Sequence, residues 1–214
     1  MLKKIFTLLK LARKIAKSDI LKITSKFQEP PLIIKILFKI LSFSFAGKTK
    51  ISINKDEGER LSNSLESMGT TFIKLGQFLA TRPDIIGEEL SKKLENLQDK
   101  LPPFSQSEAK EIIKNDLGED TYNSIINLSE PVAAASIAQV HKAKITDNGV
   151  IKDVAIKILR PNIKKIFNAE IDAMMLFAFL VESFQKKTKR LKLVEVVFLL
   201  KEITNLEMDL RFEA

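Results

Sequence analysis

The stretch that decides the fold runs from Ser136 to Leu159 and reads SIAQVHKAKITDNGVIKDVAIKIL. Two runs within it, Ser136 to Ile145 and Val150 to Leu159, are rich in alternating and β-branched residues, which is typical of strands. Asp147-Asn148-Gly149 lies between them, and an Asn-Gly pair between two such runs is the strongest short-range indication of a β-hairpin. The stretch therefore predicts two antiparallel strands joined by a tight turn.

Helices are expected on both sides of this hairpin. The first hundred residues carry apolar residues at helical spacing and no period-two run, so they predict a helical N-terminal extension. No internal repeat is visible. The expected breaks are Pro30-Pro31, Gly47 and Pro102-Pro103, and the expected later helices run from Ser107 to Asn115 with Ser105 or Ser107 as N-cap, from Ile163 to Phe184, and from Leu193 to the end.

Composition excludes several classes of protein and of site. The 214-residue chain is 45% apolar and 29% charged, which is typical of a globular protein with a substantial core. It has no cysteine and one histidine, so disulfides, thiolate metal sites and multi-histidine metal centres are excluded, and no metal site is predicted. One tyrosine, no tryptophan and no recognisable reading motif argue against nucleic acid as a partner, despite the net charge of +8.

The positive charge belongs to the N-terminal segment. Residues 1–50 hold twelve Lys and Arg against two acidic residues, a balance of +10, while residues 51–214 hold 23 basic and 25 acidic residues, a balance of −2. The segment interleaves apolar and basic residues at helical spacing, which favours an amphipathic helix with one cationic face. Such a helix either lies on an anionic membrane surface or docks on its own domain, and the sequence leaves both interpretations open.

No membrane span and no signal peptide are predicted. The apolar stretch 30–47 is interrupted by Lys35 and Lys39, and the stretch 173–181 is far shorter than the roughly 20 residues that a spanning helix needs. No clear small-residue cleavage site follows the first apolar run. Any membrane association predicted here is therefore peripheral.

The second strand of the hairpin carries the first candidate binding residues. Because strand side chains alternate between faces, Ala155 and Lys157 share one face while Val154 and Ile156 share the other. A small residue leaves room for a flat base, and a lysine two residues further on places a compact cation near phosphates. VAIK therefore favours a nucleotide pocket, although the same four residues also fit an ordinary half-exposed strand.

A row of alanines, Ala133 to Ala135 in PVAAASIAQVH, lies where phosphate-binding loops usually have glycines. Alanine loses about 1–2 kcal/mol at positive φ, so these residues are expected to hold the turn at negative φ. A small-residue turn packed under a helix is the alternative. His141 is interpreted as a strand-end histidine without a chemical role.

Four separated segments resemble the UbiB family of atypical kinase-like proteins, which is associated with ubiquinone biosynthesis. They are FIKLGQFLATRPDI, PVAAASIAQVH, VAIKILRP and EMDLRFEA, and the resemblance covers the chain from about Lys50 onward. It implies an α+β fold in which a helical extension precedes a protein-kinase-like small lobe of short antiparallel sheet plus helices, with the large lobe absent. The implied domains are a basic amphipathic membrane-proximal segment at 1–50, the helical extension at 51–128 and the small lobe at 129–214.

The family's functional residues carry over to the matching positions. Lys157 matches the phosphate-facing lysine of the third strand, and Glu213 matches the glutamate that pairs with it. Lys74 of KLGQ and Glu207 of the glutamate-x-aspartate motif would form a second pair. The implied cofactor-binding residues are Ala133, Ala134, Ala135, Ser136, Val140, Ala155, Lys157 and Glu213, and the implied regulatory residues are Lys74, Gly76, Gln77, Glu207 and Asp209.

Helix geometry agrees with separate partners for the two glutamates. If Glu207 and Glu213 lie on one helix, six residues advance the direction by about 240° after a full turn is removed, so they cannot point at one cation. Each motif also has a structural alternative. KLGQ fits ordinary helix packing in which Gly76 permits close approach, and the acidic residues fit a solvated face.

The resemblance implies a site for ATP or ADP with Mg²⁺ in a complete protein. KLGQ would occupy the ground where a protein substrate docks, which disfavours phosphorylation of proteins in trans. No catalytic-loop His-x-Asp or Asp-x-Gly follows Glu213, so no catalytic residue is assigned and negligible ATPase activity is expected from the isolated chain. Whether the chain is an enzyme stays open. The alternative is a non-catalytic, membrane-associated interaction module left from a split or decayed gene.

The implied partners are nucleotide, membrane surface lipids and other ubiquinone-biosynthesis proteins. The implied location is the cytoplasmic face of the bacterial inner membrane, where the protein would be peripheral. Both expectations come from the family resemblance together with the basic N-terminal segment.

Overall fold

The computed structural model describes residues 7, 9–10, 13–14, 57–95, 97, 101–147, 149–184 and 192–212. Within these ranges the chain forms helices and one four-stranded antiparallel sheet, so the predicted α+β class is confirmed. The helices are α1 Glu57–Met68, α2 Thr70–Ala80, α3 Pro83–Ile86, α4 Glu88–Leu94, α5 Gln106–Leu117, α6 Glu119–Asn123, α7 Ile163–Phe184 and α8 Leu193–Glu207; the strands are β1 Ile125–Ile126, β2 Pro131–Ala134, β3 Ala138–Asp147 and β4 Val150–Leu159; and Leu210–Phe212 is a 3₁₀ turn.

The chain divides into two compact units. The helical unit comprises residues 1–98 and 166–204, and the sheet unit comprises residues 99–165 and 205–214. Helices α7 and α8 contribute residues to both units because the divisions fall within them. The domain boundaries expected after residues 50 and 128 stay predictions.

Strand β3 is the centre of the sheet. It pairs with β4 along its whole length on one edge, and with β1 and β2 at different positions on the other edge. Strand β1 lies inside the segment 51–128 that was expected to be helical, and this expectation was wrong for Ile125–Ile126. A two-residue strand has no periodicity of its own, and its pairing is supplied by Lys144 and Ile145 of β3.

The predicted hairpin is confirmed. Its strands pair from Ala138 opposite Leu159 to Asp147 opposite Val150, which leaves a two-residue connection. Gly149 in that connection has a φ of 79°, a conformation that glycine adopts at little cost and that favours the tight turn. Asn148 lies outside the described residues.

Helix α5 covers one face of the sheet. Buried Ala109 and Ile113 pack with Ile158 of β4 in one apolar cluster. The helix begins with a capping box, in which Ser105 Oγ accepts from the Glu108 N–H at 3.3 Å and Glu108 Oε2 accepts from the Ser105 N–H at 3.2 Å. Ser105 is therefore the N-cap, as one of the two predicted alternatives stated.

Gly76 permits close helix packing in the helical unit. A Cβ at this position in α2 would lie 2.5 Å from Leu97 Cδ2 and 2.8 Å from Leu65 Cδ1, and both leucines are buried. Glycine in a helix interior costs about 0.5–1 kcal/mol relative to alanine, so its presence here reflects the lack of space. Gly76 therefore fits the packing alternative for KLGQ, and its regulatory role stays a prediction.

The described part of the N-terminal segment contacts the rest of the helical unit. Lys14 Nζ donates to the Met68 carbonyl at 2.9 Å and forms an ion pair with Glu170 Oε1 at 3.1 Å. Lys10 and Arg13, by contrast, have exposed side chains. Docking on its own domain therefore holds for Lys14, while two other cations of the same segment face solvent.

Helix α7 has the bounds that the sequence predicts. Its C-terminal end is linked to the start of α8, because Glu182 Oε1 accepts from the Val194 N–H at 3.1 Å. A carboxylate at a helix N-terminus also interacts favourably with the partial positive charge there.

Over the ranges that the structure describes, no helix is both long enough and apolar enough to span a membrane.

Helix α8 ends at Glu207, so the prediction of a helix from Leu193 to the end was wrong. Asp209 stops it by local hydrogen bonding. Its carboxylate accepts from Arg211 Nε at 2.7 Å, from Arg211 Nη2 and from the Arg211 backbone N–H at 3.3 Å. Aspartate commonly competes with helical hydrogen bonds in this way. The expected 240° separation of Glu207 and Glu213 required a continuous helix and therefore does not apply.

Substituting Gly76 with alanine should destabilise the protein. Forcing a methyl group between two buried leucines costs about 1–3 kcal/mol, of which the better helix propensity of alanine offsets up to about 1 kcal/mol. We expect a lower urea midpoint with an unchanged slope. The double variant with Leu97→Ala removes the closer of the two contacts, so it should cost less than the two single variants together. Strictly additive costs would contradict the contact.

The Asp209 carboxyl should remain ionised at pH values below the ordinary pKa of an aspartate. Its hydrogen bonds from Arg211 lower the pKa of its carboxyl from 3.8 to about 2, with a weaker contribution from the charge of Lys164. Because the folded-state pKa is depressed, the stabilisation is fully present above pH 3.8 and is lost as the pH falls towards 2. A ¹³C NMR titration of the carboxyl group in Arg211→Gln should move the pKa back towards 3.8, and Lys164→Gln should move it less. An unshifted pKa in Arg211→Gln would refute this.

Candidate functional site

Three candidate residues form a row across three neighbouring strands. Ala133 of β2 pairs with Val140 of β3, and Val140 pairs with Lys157 of β4. Directly opposed residues in antiparallel strands project from the same face of a sheet. The row therefore places the first alanine of the stretch, an apolar side chain and an ammonium group on one face.

Ala155 belongs to the same face, as the strand alternation predicted. It pairs with Lys142, two positions along β4 from Lys157, and both Ala155 and Lys157 are exposed. On the opposite face Ile158 is buried and Ile156 packs against the α5 cluster. One side of the sheet is thus used for the core, and the side that carries Lys157 is accessible to a ligand.

The alanine stretch is only partly a loop. Ala133 and Ala134 lie in β2, so the expectation that Ala133 to Ala135 form a loop was wrong for two of the three residues. The irregular pairing between Pro131 and Ala133 occurs on this strand. The turn itself spans Ala135 to Ala138, where the Ala135 N–H donates to the Ala138 carbonyl at 2.8 Å.

The turn has the backbone geometry that alanine prefers. Among the residues that the structure describes, the non-glycine residues with positive φ are Asn127, Asn162 and Lys192. The alanines of the turn are not among them, so their φ angles are negative, as the sequence predicted. Ser136 and Ala138 are buried, so the turn is packed and only Ala133 of the stretch is exposed.

Arg160, which the sequence analysis did not single out, contacts this turn. Its Nε donates to the Ala135 carbonyl at 2.9 Å, and its backbone N–H donates to the Ile137 carbonyl at 2.9 Å. The guanidinium also donates to the Pro102 carbonyl at 3.0 Å and the Leu101 carbonyl at 3.3 Å. Its position in ILRP, one residue after β4, was the only sequence feature that pointed to it.

His141 is a structural residue on the buried face. It lies inside β3 and is fully buried, so the strand-end interpretation was wrong in position. His141 Nδ1 lies 2.7 Å from the Ser129 carbonyl and Nε2 lies 2.9 Å from Gln139 Nε2. A carbonyl can only accept, so Nδ1 carries the proton and Nε2 accepts from the amide. The ring therefore fixes the chain before β2 onto β3.

Gln139 extends this network to the start of α5. Its Oε1 accepts from the Phe104 N–H at 2.9 Å, and its Nε2 donates to the Phe104 carbonyl at 3.3 Å. The side chain is fully buried, and each polar atom has a partner. Buried polar groups that are satisfied in this way specify one arrangement of the surrounding segments.

The remaining candidates lie elsewhere along the chain. Lys74 and Gln77 are half-buried on α2 of the helical unit, where their spacing of three places them on one helix face. Glu207 and Asp209 belong to the sheet unit. Glu213 lies outside the described residues. The Lys157–Glu213 pair stays a prediction. The Lys74–Glu207 pair also stays a prediction, and its two members belong to different units.

A cavity of about 460 Å³ lies in the helical unit, and its described lining contains none of the candidate residues. Its charged groups are already paired, Arg82 with Asp84 at 2.8 Å and Lys192 with Glu195 at 2.9 Å. The hydrogen bond between Arg82 and Asp84 raises the pKa of the guanidinium and lowers that of the carboxyl. Within the described ranges no cluster of three or more potential metal ligands occurs.

Comparison with known proteins agrees with the family resemblance. The family model described as "ABC1 atypical kinase-like domain" matches residues 96–214. A "Probable protein kinase UbiB" of Marinobacter nauticus is 37% identical over 187 residues, 87% of this chain and 33% of that protein. Proteins of the same name are 36% identical over 86% of the chain in Shewanella baltica and 39% identical over 75% in Vibrio cholerae, covering 34% and 29% of those proteins.

The chain thus spans about a third of the length of the curated relatives it matches. No solved structure matches it. The family match extends over the whole hairpin, the alanine turn and the glutamate-x-aspartate segment. The chain therefore belongs to the ABC1 atypical kinase-like family.

Proposed function

We propose that the sheet unit is the nucleotide-binding small lobe of a UbiB-type atypical kinase or ATPase that supports ubiquinone biosynthesis. The observation that carries the proposal is the row of Ala133, Val140 and Lys157 across three strands on the exposed face. It brings together the strand that leads into the alanine turn, an apolar contact and a cation. These are the groups that bind a nucleotide in kinase-like folds.

Each residue of the exposed face suits one part of a nucleotide. Lys157 is an exposed cation that would contact the phosphates, where a compact ammonium acts as a point charge. Ala155 and Val140 offer small apolar surface for the base, as in most ligand sites that combine an apolar lining with a few polar groups. The fit to ATP or ADP therefore rests on residues of two adjacent strands, β3 and β4.

Mg²⁺ belongs to the proposal only through the nucleotide. The described residues contain no cluster of three or more potential metal ligands, and no described residue is proposed as a magnesium ligand. When bound, Mg²⁺ would neutralise charge on the phosphates. What the described residues contribute is the ammonium of Lys157 and the shape of the sheet face, and none of them is assigned a step of the phosphate chemistry.

The proposed role in ubiquinone biosynthesis draws on the relatives. Curated proteins that match most of this chain carry the name "Probable protein kinase UbiB". The proposed partners are accordingly nucleotide, membrane lipids and other proteins of that pathway. The proposed location is the cytoplasmic face of the bacterial inner membrane.

Nucleotide binding by the 214-residue chain tests the proposal. With a fluorescent ATP analogue and Mg²⁺, Lys157→Met should weaken binding about tenfold, because a charge-assisted contact is worth about 1.5 kcal/mol or more. Lys152→Met is the matched control, because Lys152 is an exposed lysine of the same strand that pairs with Ile145 and projects from the opposite face. Equal affinities of the two variants would overturn the nucleotide site and leave the interaction module as the better interpretation.

Binding to anionic vesicles tests the membrane part. Exposed Lys10 and Arg13 are the described cations of the N-terminal segment that face solvent, and each basic residue near an anionic surface contributes about 1 kcal/mol. The double variant Lys10→Gln/Arg13→Gln should reduce co-sedimentation with phosphatidylglycerol vesicles by about tenfold or more. A double variant at exposed Lys164 and Lys165 removes the same charge and should have little effect. Equal losses of co-sedimentation in both double variants would show a non-specific charge effect and refute the proposed membrane contact of Lys10 and Arg13.

A further inference from the structure

We infer that Arg160 is a positioning residue that holds the alanine turn in a binding-ready conformation, an inference that rests on the proposed function. Its guanidinium Nε donates to the Ala135 carbonyl at 2.9 Å, and its backbone N–H donates to the Ile137 carbonyl at 2.9 Å. Two of the four residues of the turn are thus fixed by one arginine.

The guanidinium of Arg160 is itself held in place by a second segment. Its two terminal nitrogens donate to the Pro102 carbonyl at 3.0 Å and the Leu101 carbonyl at 3.3 Å, before α5. Three different nitrogens of one planar group therefore reach three carbonyls in two segments. A planar guanidinium presents its donors in fixed directions, whereas a lysine has one nitrogen and cannot reproduce this arrangement.

Holding the Ala135 carbonyl also sets the direction of the next N–H. In a planar trans peptide the carbonyl of one residue and the N–H of the following residue point to opposite sides. Because Arg160 binds the Ala135 carbonyl, the Ser136 N–H is directed away from the guanidinium. The peptide between Ala135 and Ser136 therefore cannot rotate without losing the contact to Arg160.

This arrangement explains how a turn without glycine would serve a phosphate ligand. A glycine-rich loop reaches its bound conformation by rotating its peptides at little cost. Alanine restricts that rotation, and Arg160 adds an external hydrogen bond to one conformer. A turn that is ordered before binding loses less conformational entropy when the ligand arrives. Arg160 would therefore act on nucleotide affinity through the turn, without touching the nucleotide itself.

The variant Arg160→Lys tests the inference, with the fluorescent ATP analogue and Mg²⁺ as the probe. It keeps the charge and loses the planar fork, so we expect about five- to tenfold weaker nucleotide binding. Arg82→Lys is the matched control, because Arg82 makes a bidentate ion pair with Asp84 in the helical unit. It should leave the affinity unchanged.

Amide hydrogen exchange separates positioning from general stability. The Ala135 N–H is hydrogen-bonded within the turn, while the amides of β3 and β4 lie in the sheet ladder. If Arg160 positions the turn, exchange at Ala135 in Arg160→Lys should accelerate about tenfold relative to the ladder amides. Equal acceleration at all amides would mean that Arg160 merely stabilises the unit, and it would overturn the inference.

The two proposals fail in different ways. The inference is refuted, while the nucleotide site stands, if two results are found together: Arg160→Lys binds nucleotide as tightly as the unchanged protein, and its Ala135 amide exchanges at the unchanged rate. If the unchanged chain binds no nucleotide, or Lys157→Met has no effect, the proposed function is refuted. The exchange experiment needs no nucleotide, so in that case it still decides whether Arg160 positions the turn.

Discussion

The register of β3 against β4 is the constraint on which the site depends. It is fixed by the two-residue connection between Asp147 and Val150, and it places Val140 opposite Lys157. A slip of one residue would move every side chain of a strand to the other face. Lys157 would then be directed into the α5 cluster, and Ile158 would face solvent. The same hairpin thus decides both the core and the surface that carries the candidate site.

Local patterns predicted the elements whose information lies within their own sequence. The hairpin, the N-cap Ser105 and helix α7 are of this kind, because a turn, a cap and a long periodic helix are determined by neighbouring residues. The short strands β1 and β2 were missed because their partner β3 supplies their hydrogen bonds. The end of α8 was missed because Asp209 and Arg211 form a specific local contact that periodicity does not reveal.

The candidate site divides in the same way. Strand alternation was enough to predict that Ala155 and Lys157 share a face, and the conformational cost of alanine was enough to predict negative φ angles in the turn. Arg160 was not predictable, because its three carbonyl partners lie 25 to 59 residues away in the sequence. Its role depends on segments that only the folded chain brings together. The site therefore combines residues encoded by a motif with a support encoded by the fold.

The segment from Leu101 to Phe104 explains why an arginine suits this position. Pro102 and Pro103 have no N–H group, so the segment offers carbonyl acceptors and few donors. A guanidinium has only donors, which makes it complementary to such a segment. Arg160 binds its first two carbonyls and Gln139 binds both polar groups of Phe104. Two side chains thereby fix the start of α5. One of them, Arg160, also holds the alanine turn through the Ala135 carbonyl.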